Sequence, residues 1–218
     1  HLLHHPVRSR QFTLGADAAI AAGPRQREEL ARGRAGLVQT VHNARFADSG
    51  SMYSLHCARE RVQGPFLLLE SDLVYEPRAL TTLLAGPAED AILLSGPTGA
   101  GDEVFVATRG GFLAGMSKRR ADLAGEVTGE LVGITRVSPG LFVLMCRIAE
   151  AAFERSLMFD YETDCLVAAG RERPIACPLV PDLLWGEIDD PAHLARVRDE
   201  VYPQLQRRQP GSVAPPRH

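Results

Sequence analysis

Phe66-Leu67-Leu68-Leu69-Glu70-Ser71-Asp72 begins with four unbroken apolar residues and ends abruptly on two acids and a serine. A short apolar run of this kind, preceded here by Gly64-Pro65, is typical of a strand buried on both faces of a mostly parallel sheet. Ligands of open α/β sheets bind just beyond the carboxyl ends of such strands. We therefore expect Glu70 and Asp72 to lie at a binding site, where carboxylate oxygens suit a hard cation such as Mg²⁺. The alternative is that Asp72 simply begins a loop.

Length and composition favour one domain with a substantial core, because the chain has 218 residues of which 45% are hydrophobic. The formal net charge of -3 argues against a nucleic-acid surface. No apolar run approaches the roughly 18 residues that a membrane-spanning helix needs, so neither membrane insertion nor a signal peptide is expected.

The four cysteines are scattered, with no pair at CxxC spacing. This pattern favours free thiols in a reducing, cytoplasmic compartment over a disulfide framework or a zinc site. Lys118 is the only lysine, so a reaction step that needs a lysine ammonium from this chain has a single candidate.

Apolar runs alternate with segments of helical period, which predicts an α/β chain. Strands are expected at residues 18–21, 37–41, 66–70, 91–95, 131–137 and 174–179. Helices are expected at residues 6–14, 25–32, 52–62, 77–84 and 141–155, from Asp160 onward, and at 191–205. Arg109-Gly110-Gly111 lies between two further apolar runs and predicts an antiparallel hairpin. We expect a single domain over residues 1–208 and a disordered tail over 209–218.

A second acidic segment, Glu187-Ile188-Asp189, puts two carboxylates on the same side of an extended chain. Asp189 also precedes a predicted helix, so helix capping is a competing explanation. Paired carboxylates together with substrate phosphates are the usual ligands of protein-bound magnesium, so Asp72 and Asp189 are candidates to hold one Mg²⁺ jointly.

The segment from Asp48 to Ser51 offers several N-caps for the helix that follows it. The N–H groups at a helix N-terminus favour a nucleotide or another anion, and ordinary capping is the alternative.

Several motifs occur in a characteristic order along the chain. They are Asn43-x-x-Phe46, Ser51-Met52-Tyr53-Ser54-Leu55, the strand ending at Asp72, Gly129-Glu130-x-x-Gly133-Ile134, Asp160-Tyr161-Glu162 and Trp185-x-Glu187-Ile188-Asp189. The set resembles the sugar-nucleotidyltransferase-like cytidylyltransferases, in particular the CTP:phosphocholine and aminoethylphosphonate type. The resemblance covers roughly residues 10 to 200, and its specificity comes from the order and spacing of motifs that are individually weak.

The resemblance implies a GT-A-like (Rossmann-like) α/β fold of three layers, with a mixed, mostly parallel sheet, helices on both faces and a small antiparallel hairpin. It implies that Asp72 and Asp189 bind the catalytic Mg²⁺ and that Lys118 falls in the acceptor pocket, where it is the best remaining candidate for a catalytic cation at the acceptor's anionic group. It further implies a nucleotide-binding segment with Asn43, Ser51 and Ser54, and an acceptor pocket built from Glu130, Tyr161, Glu162, Trp185 and Glu187. Aromatic faces and carboxylates of this kind suit a cationic head group, while core packing is the alternative for Tyr161 and Trp185.

One family feature has no match in this sequence. Family members begin with a strand and a glycine-rich loop of the GxGxR type that wraps the triphosphate. The segment Ala21-Ala22-Gly23-Pro24-Arg25 is not this loop, because its place in the chain matches that of the second family strand. We therefore expect the domain to be N-terminally incomplete, either through loss of that segment or because the chain is a degenerate homologue.

Three functions follow as alternatives. The first is a magnesium-dependent cytidylyltransferase that joins CMP from CTP to a small phosphorylated or phosphonylated alcohol or amine and releases pyrophosphate. The second is a GT-A glycosyltransferase, since Glu70-Ser71-Asp72 resembles its acid-x-Asp motif. The third is a non-catalytic ligand-binding homologue. The sequence leaves a homodimer open.

Overall fold

The computed structural model describes residues 12–14, 18–20 and 38–208. The predicted helix at 25–32, most of the one at 6–14 and the tail at 209–218 lie outside the described residues. The described parts contain no helix that combines the length and apolarity needed to cross a bilayer.

A mixed sheet forms the centre of the fold. The strands are β1 (Phe12–Leu14), β2 (Ala18–Ile20), β3 (Val38–Thr40), β4 (Phe66–Glu70), β5 (Leu73–Tyr75), β6 (Ala91–Ser95), β7 (Phe105–Arg109), β8 (Phe112–Ser117), β9 (Val127–Val137), β10 (Leu179–Val180) and β11 (Trp185–Glu187). The main path runs β10-β6-β9-β4-β1-β2-β3, with the β7–β8 hairpin attached to β9. Five of these seven strands share one direction, because only β9 and β1 run against their neighbours. Strands β5 and β11 form a separate antiparallel pair.

Helices pack on both faces of this sheet. They are α1 (Ser51–Cys57), α2 (Arg78–Ala85), α3 (Pro139–Phe153), α4 (Val167–Gly170), α5 (Pro191–Arg196) and α6 (Tyr202–Arg208). A π-helical segment at Tyr161–Leu166 leads into α4, and another at Val197–Val201 joins α5 to α6. Single turns of 3₁₀ helix occur at Arg59–Arg61 and Arg120–Asp122.

The side chains of β6 show how the sheet separates two cores. Ile92 and Leu94 pack with the α1 and α3 side, where Met145 is fully buried, whereas Leu93 packs with Leu83 of α2 on the opposite face. Because successive strand residues point to opposite faces, a continuous apolar run fits a strand covered on both sides. The predicted three-layer α/β fold is confirmed.

Two predicted elements differ from the structure. Residues 12–14 form a strand and not the end of a helix, because they pair with β4, whose backbone groups need partners along that edge. The strand predicted at 174–179 is reduced to Leu179–Val180 and two isolated bridges that join Ala176 to Ala91 and to Phe112. Pro174 and Pro178 have no N–H to donate, which explains why a regular ladder does not form there.

The four thiols are free, as the sequence predicts. Burial raises the pKa of Cys165 and of Cys177 to about 12, so both thiols remain protonated and unreactive near neutral pH.

A bulge in β9 brings the backbone close to the end of β4. Gly133 has φ +77, and a Cβ at this position would lie 2.6 Å from Oε2 of Glu70. The same carboxylate accepts a hydrogen bond from the Tyr161 hydroxyl at 3.1 Å through its other oxygen. Gly133 therefore leaves space for Glu70 and adopts a left-handed conformation that other residues avoid.

A buried carboxylate fastens the end of the chain to the β5–β11 pair. Glu76 accepts hydrogen bonds from Arg78 at 2.6 Å, from the Leu184 backbone N–H at 3.1 Å and from Arg208 at 3.3 Å. Burial raises the pKa of Glu76, but the hydrogen bonds and charges of these partners outweigh it and leave the pKa below its ordinary value.

The free energy of unfolding should therefore depend on Glu76 at neutral pH and lose that contribution in acid. Because the folded-state pKa is lowered, the contribution is complete above the ordinary pKa of 4.5 and disappears as the pH falls through the folded value. Glu76→Gln should lower the free energy of unfolding by about 1–3 kcal/mol at pH 7, with a smaller difference from wild type at pH 3. Urea melts at both pH values measure this. Glu60→Gln, whose side chain is 81% exposed, is the control, and equal losses at both pH values would contradict the account.

Gly133→Ala should destabilise the fold more than Gly111→Ala. Gly111 has a similar φ of +83, but a Cβ added there would meet nothing within 4 Å, so its substitution costs only the conformational strain, about 1–2 kcal/mol. The methyl group that Gly133→Ala introduces must also push Glu70 away from Tyr161, which adds about 1–2 kcal/mol. Thermal or urea melts of the two variants test this, and equal losses would show that the contact with Glu70 is unimportant.

Candidate active site

A cleft opens where β4, β9, β11 and α5 meet the loop that follows β6, with about 530 Å³ of empty space that includes open solvent. Its charged lining residues are Glu70, Asp102, Glu103, Glu162, Glu187, Lys118 and Arg196. Five carboxylates therefore outnumber two cations. A cleft of this composition attracts cations and holds an anionic ligand only together with additional positive charge.

Three carboxylates converge at the end of β4. One oxygen from each of Glu70, Asp72 and Glu187 lies within 4.8 Å of the other two. Backbone pairing explains the convergence, because Glu187 pairs with Leu73 and the Ile188 N–H donates to the Asp72 carbonyl at 3.0 Å. An all-oxygen set of this kind fits a hard divalent cation.

Asp189 lies in a different group. One carboxylate oxygen of Asp189, one of Asp102 and one ring nitrogen of His193 all lie within 4.8 Å of one another. The helix-capping explanation for Asp189 is wrong, because Asp190 caps α5 by accepting from the N–H groups of Ala192 and His193 at 2.8 Å each. Strand β11 ends at Glu187. The alternation of side chains along a strand therefore does not reach Asp189, and it does not place Asp189 on the same side as Glu187. The segments of Asp72 and Asp189 adjoin, and joint ligation of one ion by this pair stays a prediction.

Three residues of the predicted acceptor pocket line the cleft, namely Glu162, Trp185 and Glu187. The predicted catalytic cation, Lys118, lines it as well. Trp185 is fixed in place because its Nε1–H donates to Ser95 Oγ at 2.8 Å. The aromatic face therefore has a defined orientation that does not depend on a ligand.

Glu130 and Tyr161 lie behind the cleft wall and hold lining residues in place. Glu130 is 3% exposed, and its Oε2 accepts from both the backbone N–H and the hydroxyl of Thr98 at 2.8 Å. Tyr161 is fully buried and donates its hydroxyl hydrogen to Glu70. The first glycine of the Gly-Glu-x-x-Gly motif also has a structural role. A Cβ at Gly129 would lie 2.6 Å from the Ser95 carbonyl oxygen, so a larger residue does not fit there.

The predicted nucleotide-binding residues Asn43, Ser51 and Ser54 belong to a hydrogen-bonded network. The Asn43 amide donates to Ser49 Oγ at 3.0 Å and to Ser54 Oγ at 2.9 Å. Ser51 Oγ accepts from the Tyr161 backbone N–H at 2.9 Å. In the described residues these side chains order the chain around α1, and contact with a nucleotide stays a prediction.

Asp160 precedes the helical segment at Tyr161–Leu166 but does not cap it with its side chain. Its Oδ1 accepts from the backbone N–H and the hydroxyl of Ser51 at 3.2 and 3.1 Å. Asp160 thereby satisfies a free N–H at the start of α1, because the residue before that helix is Gly50, which has no side chain to do so.

Arg196 is a cleft residue that none of the sequence motifs indicates. It lines the cleft, and its Nε–H is buried without a hydrogen-bond partner among the described residues. It lies three residues after His193, so the two side chains share one face of α5. In the sequence that pattern resembles the solvated side of an amphipathic helix. Nothing in the sequence alone distinguishes a solvated arginine from one that lines a cleft.

Comparison with known proteins places this geometry in context. No family model matches the chain. The chain is 31% identical in sequence over 179 residues to the CMP-5'-(3-aminopropyl)phosphonate synthase of Streptomyces rubellomurinus, and the match covers 75% of this chain. The chain spans only 27% of that relative's length.

Solved structures of similar fold include two enzymes that use CTP. The inositol-1-phosphate CTP transferase of T. maritima superposes with a TM-score of 0.69 at 16% identity, covering 86% of this chain and 75% of that one. The CTP:phosphocholine cytidylyltransferase of Streptococcus pneumoniae gives 0.58 at 12% identity, covering 80% and 73%. The resemblance to the cytidylyltransferases that the sequence motifs indicate is confirmed, and this chain has the fold of the nucleotidyltransferases.

Proposed function

We propose that this chain is the catalytic part of a magnesium-dependent cytidylyltransferase. It transfers CMP from CTP to a small phosphonate or phosphate that carries a cationic head group, and it releases pyrophosphate. The observation that carries the proposal is the convergence of Asp72 with Glu70 and Glu187, two carboxylates that line a cleft which also contains Lys118 and Arg196. The similarity in sequence to a protein named as a CMP-aminopropylphosphonate synthase supports the same substrate class.

The charge of the cleft explains why a divalent cation is needed. Five carboxylates against two cations would repel a nucleoside triphosphate. The oxygens of Glu70, Asp72 and Glu187 fit Mg²⁺, and Asp189 is the further family candidate for this role. Bound there, Mg²⁺ would supply positive charge to the phosphate oxygens of the nucleotide.

The reaction needs no nucleophile from the protein. An oxygen of the acceptor phosphonate or phosphate attacks the α-phosphorus of CTP, and the new P–O bond forms as the bond to the pyrophosphate leaving group breaks. Lys118 and Arg196 hold the anionic end of the acceptor, and positioning together with charge neutralisation provides the rate enhancement.

The cationic end of the acceptor is assigned to the wall with Trp185 and Glu162. The indole face supplies a cation–π contact and the Glu162 carboxylate supplies counter-charge. Ser95 keeps the indole oriented through its 2.8 Å hydrogen bond. Glu130 and Tyr161 act indirectly, because they hold Thr98 and Glu70.

Pyrophosphate release distinguishes this reaction from the two alternatives. The chain is incubated with Mg²⁺ and either CTP or a UDP-sugar, in the presence of 3-aminopropylphosphonate, phosphocholine or inositol 1-phosphate. The proposal expects pyrophosphate only with CTP, and with an amine-bearing acceptor in preference to inositol 1-phosphate. Release of UDP from a UDP-sugar would favour a glycosyltransferase, and calorimetric binding of an acceptor without turnover would favour a ligand-binding homologue.

Asp72→Asn should lower the turnover number by about 100-fold or more, because the substitution removes one negative oxygen ligand from the carboxylate cluster. Pyrophosphate release measures the change, and circular dichroism checks the fold. Asp199→Asn, which removes an exposed carboxylate paired with Arg198, is the control. Wild-type turnover in the Asp72 variant would refute its assignment as a metal ligand.

Arg196→Gln should raise the KM for the acceptor by about 10-fold or more and leave the KM for CTP nearly unchanged, because a charge-assisted hydrogen bond to the acceptor anion is lost. Arg198→Gln is the matched control two residues further on, since Arg198 is exposed and bound to Asp199. A rise in the KM for CTP alone would place Arg196 against the nucleotide, and an equal rise in both KM values would contradict a contact made only with the acceptor.

A further inference from the structure

We propose that the acceptor carries a primary ammonium group with free N–H bonds, and that the cleft discriminates against a quaternary ammonium such as that of choline. The inference rests on the proposed function, since it concerns the cationic end of the same acceptor. Both head groups carry one positive charge, so charge alone does not separate them. The number of hydrogen-bond donors does, because a primary ammonium has three N–H groups and a trimethylammonium has none.

The cleft offers little aromatic surface to a cation. Trp185 is the one aromatic residue among the described residues that line it. The Nε1–H of Trp185 donates to Ser95 Oγ at 2.8 Å, so the indole has its face, and not its N–H, to offer a ligand. Quaternary ammonium groups are typically bound in cages of several aromatic side chains. A single indole does not form such a cage.

Two further aromatic residues lie near the cleft without lining it. Tyr161 is fully buried, and its hydroxyl donates to Glu70 at 3.1 Å. Phe105 directly follows the lining residue Val104, but the guanidinium carbon of Arg120 lies 4.3 Å from the centroid of the Phe105 ring. That ring therefore already has a cation over one face. Neither residue adds an open aromatic face to the cleft.

Carboxylates are in excess even after the metal site is set aside. Of the five carboxylates that line the cleft, Glu70 and Glu187 belong to the proposed Mg²⁺ cluster. Asp102, Glu103 and Glu162 remain, and an ionised carboxylate offers only acceptor oxygens. A surplus of acceptors suits a ligand group that brings several donors.

Burial makes donors on the ligand more important. Glu162 is 3% exposed although it lines the cleft. Asp102 Oδ2 is buried and has no hydrogen-bond partner among the described residues, and His193 Nε2 contacts it only as an ion pair at 3.7 Å. A buried carboxylate oxygen without a donor is costly, and an ammonium N–H removes that cost whereas a methyl group does not.

The two head groups also differ in how closely their charge approaches a carboxylate. An ammonium N–H brings the nitrogen to about 2.7–2.9 Å from the oxygen. In a trimethylammonium the methyl groups lie between nitrogen and oxygen, and a carbon approaches an oxygen only to about 3.3 Å. Because Coulomb attraction falls with distance, the same carboxylates bind the primary ammonium more tightly.

The test compares two ligands that differ only at nitrogen, 3-aminopropylphosphonate and its N,N,N-trimethyl analogue. Trp185 is the only tryptophan in the sequence, so its fluorescence reports binding. Both ligands are titrated in Mg²⁺, with and without the unreactive analogue α,β-methylene-CTP. We expect the primary amine to bind at least about 10-fold more tightly, which is the effect of roughly one charge-assisted hydrogen bond. Equal affinities, tighter binding of the trimethyl analogue, or no saturable binding of either ligand would overturn the inference.

Two variants identify the carboxylate that accepts the N–H bonds. Glu162→Gln and Asp102→Asn keep the shape of the side chain and remove its charge. At least one of them, folded by circular dichroism, should lower the ratio of the two affinities by about 5-fold or more, because the charge assistance is lost. A purely structural effect would weaken both ligands alike and leave the ratio unchanged. Glu154→Gln, at an exposed position just after α3, is the control and should keep the wild-type ratio.

The titration also separates this inference from the proposed function, because it needs no turnover. A chain that prefers the primary amine but releases no pyrophosphate from CTP would support this inference and overturn the proposed reaction. A chain that releases pyrophosphate but binds both ligands equally would overturn this inference alone. An unchanged affinity ratio in both folded variants would overturn it as well.

Discussion

The antiparallel pairing of β5 with β11 is the constraint on which the rest of the site depends. It places Glu187 beside Leu73 and bonds the Ile188 N–H to the Asp72 carbonyl, so acids more than a hundred residues apart in the sequence meet at the end of β4. Like charges at such short distances repel one another strongly inside a protein. The arrangement is therefore stable only with nearby positive charge, which a metal ion and the cleft cations can supply.

A shell of buried polar groups holds this arrangement in place. Glu70 lies between the bare backbone of Gly133 and the Tyr161 hydroxyl. Glu130 holds the loop after β6 through Thr98, and Ser95 orients Trp185. Each of these contacts fixes a residue that lines the cleft, which is how a rigid sheet can present a defined set of oxygens to a ligand. The motif residues of this sequence thus include supporting groups as well as groups that face the cleft.

Much of the fold could be predicted from continuous apolar runs. The strands at 66–70 and 91–95 have the predicted bounds, because burial on both faces leaves an unambiguous pattern in the sequence. The strand at Phe12–Leu14 could not be predicted in this way, since it depends on pairing with β4 and not on its own sequence. Local periodicity reports what a segment prefers alone, and tertiary pairing can override that preference.

The site was only partly accessible from the sequence. Asp72 was evident because it comes two residues after a buried apolar strand, and the chain pairing that brings Glu187 to it follows from the fold. Asp102, His193 and Arg196 carried no signal, because a loop acid and two polar residues on an amphipathic helix look like an ordinary solvated surface. Only the three-dimensional arrangement shows that Asp102 and Arg196 line the same cleft and that His193 lies next to Asp102.

The most direct test of the central claim is the location of Mn²⁺ by anomalous diffraction in crystals grown with Mn²⁺ and CTP. We predict an anomalous peak within coordination distance of the carboxylates of Glu70, Asp72 and Glu187. Absence of a peak there, with those carboxylates bound instead to arginine or lysine side chains, would contradict the assignment.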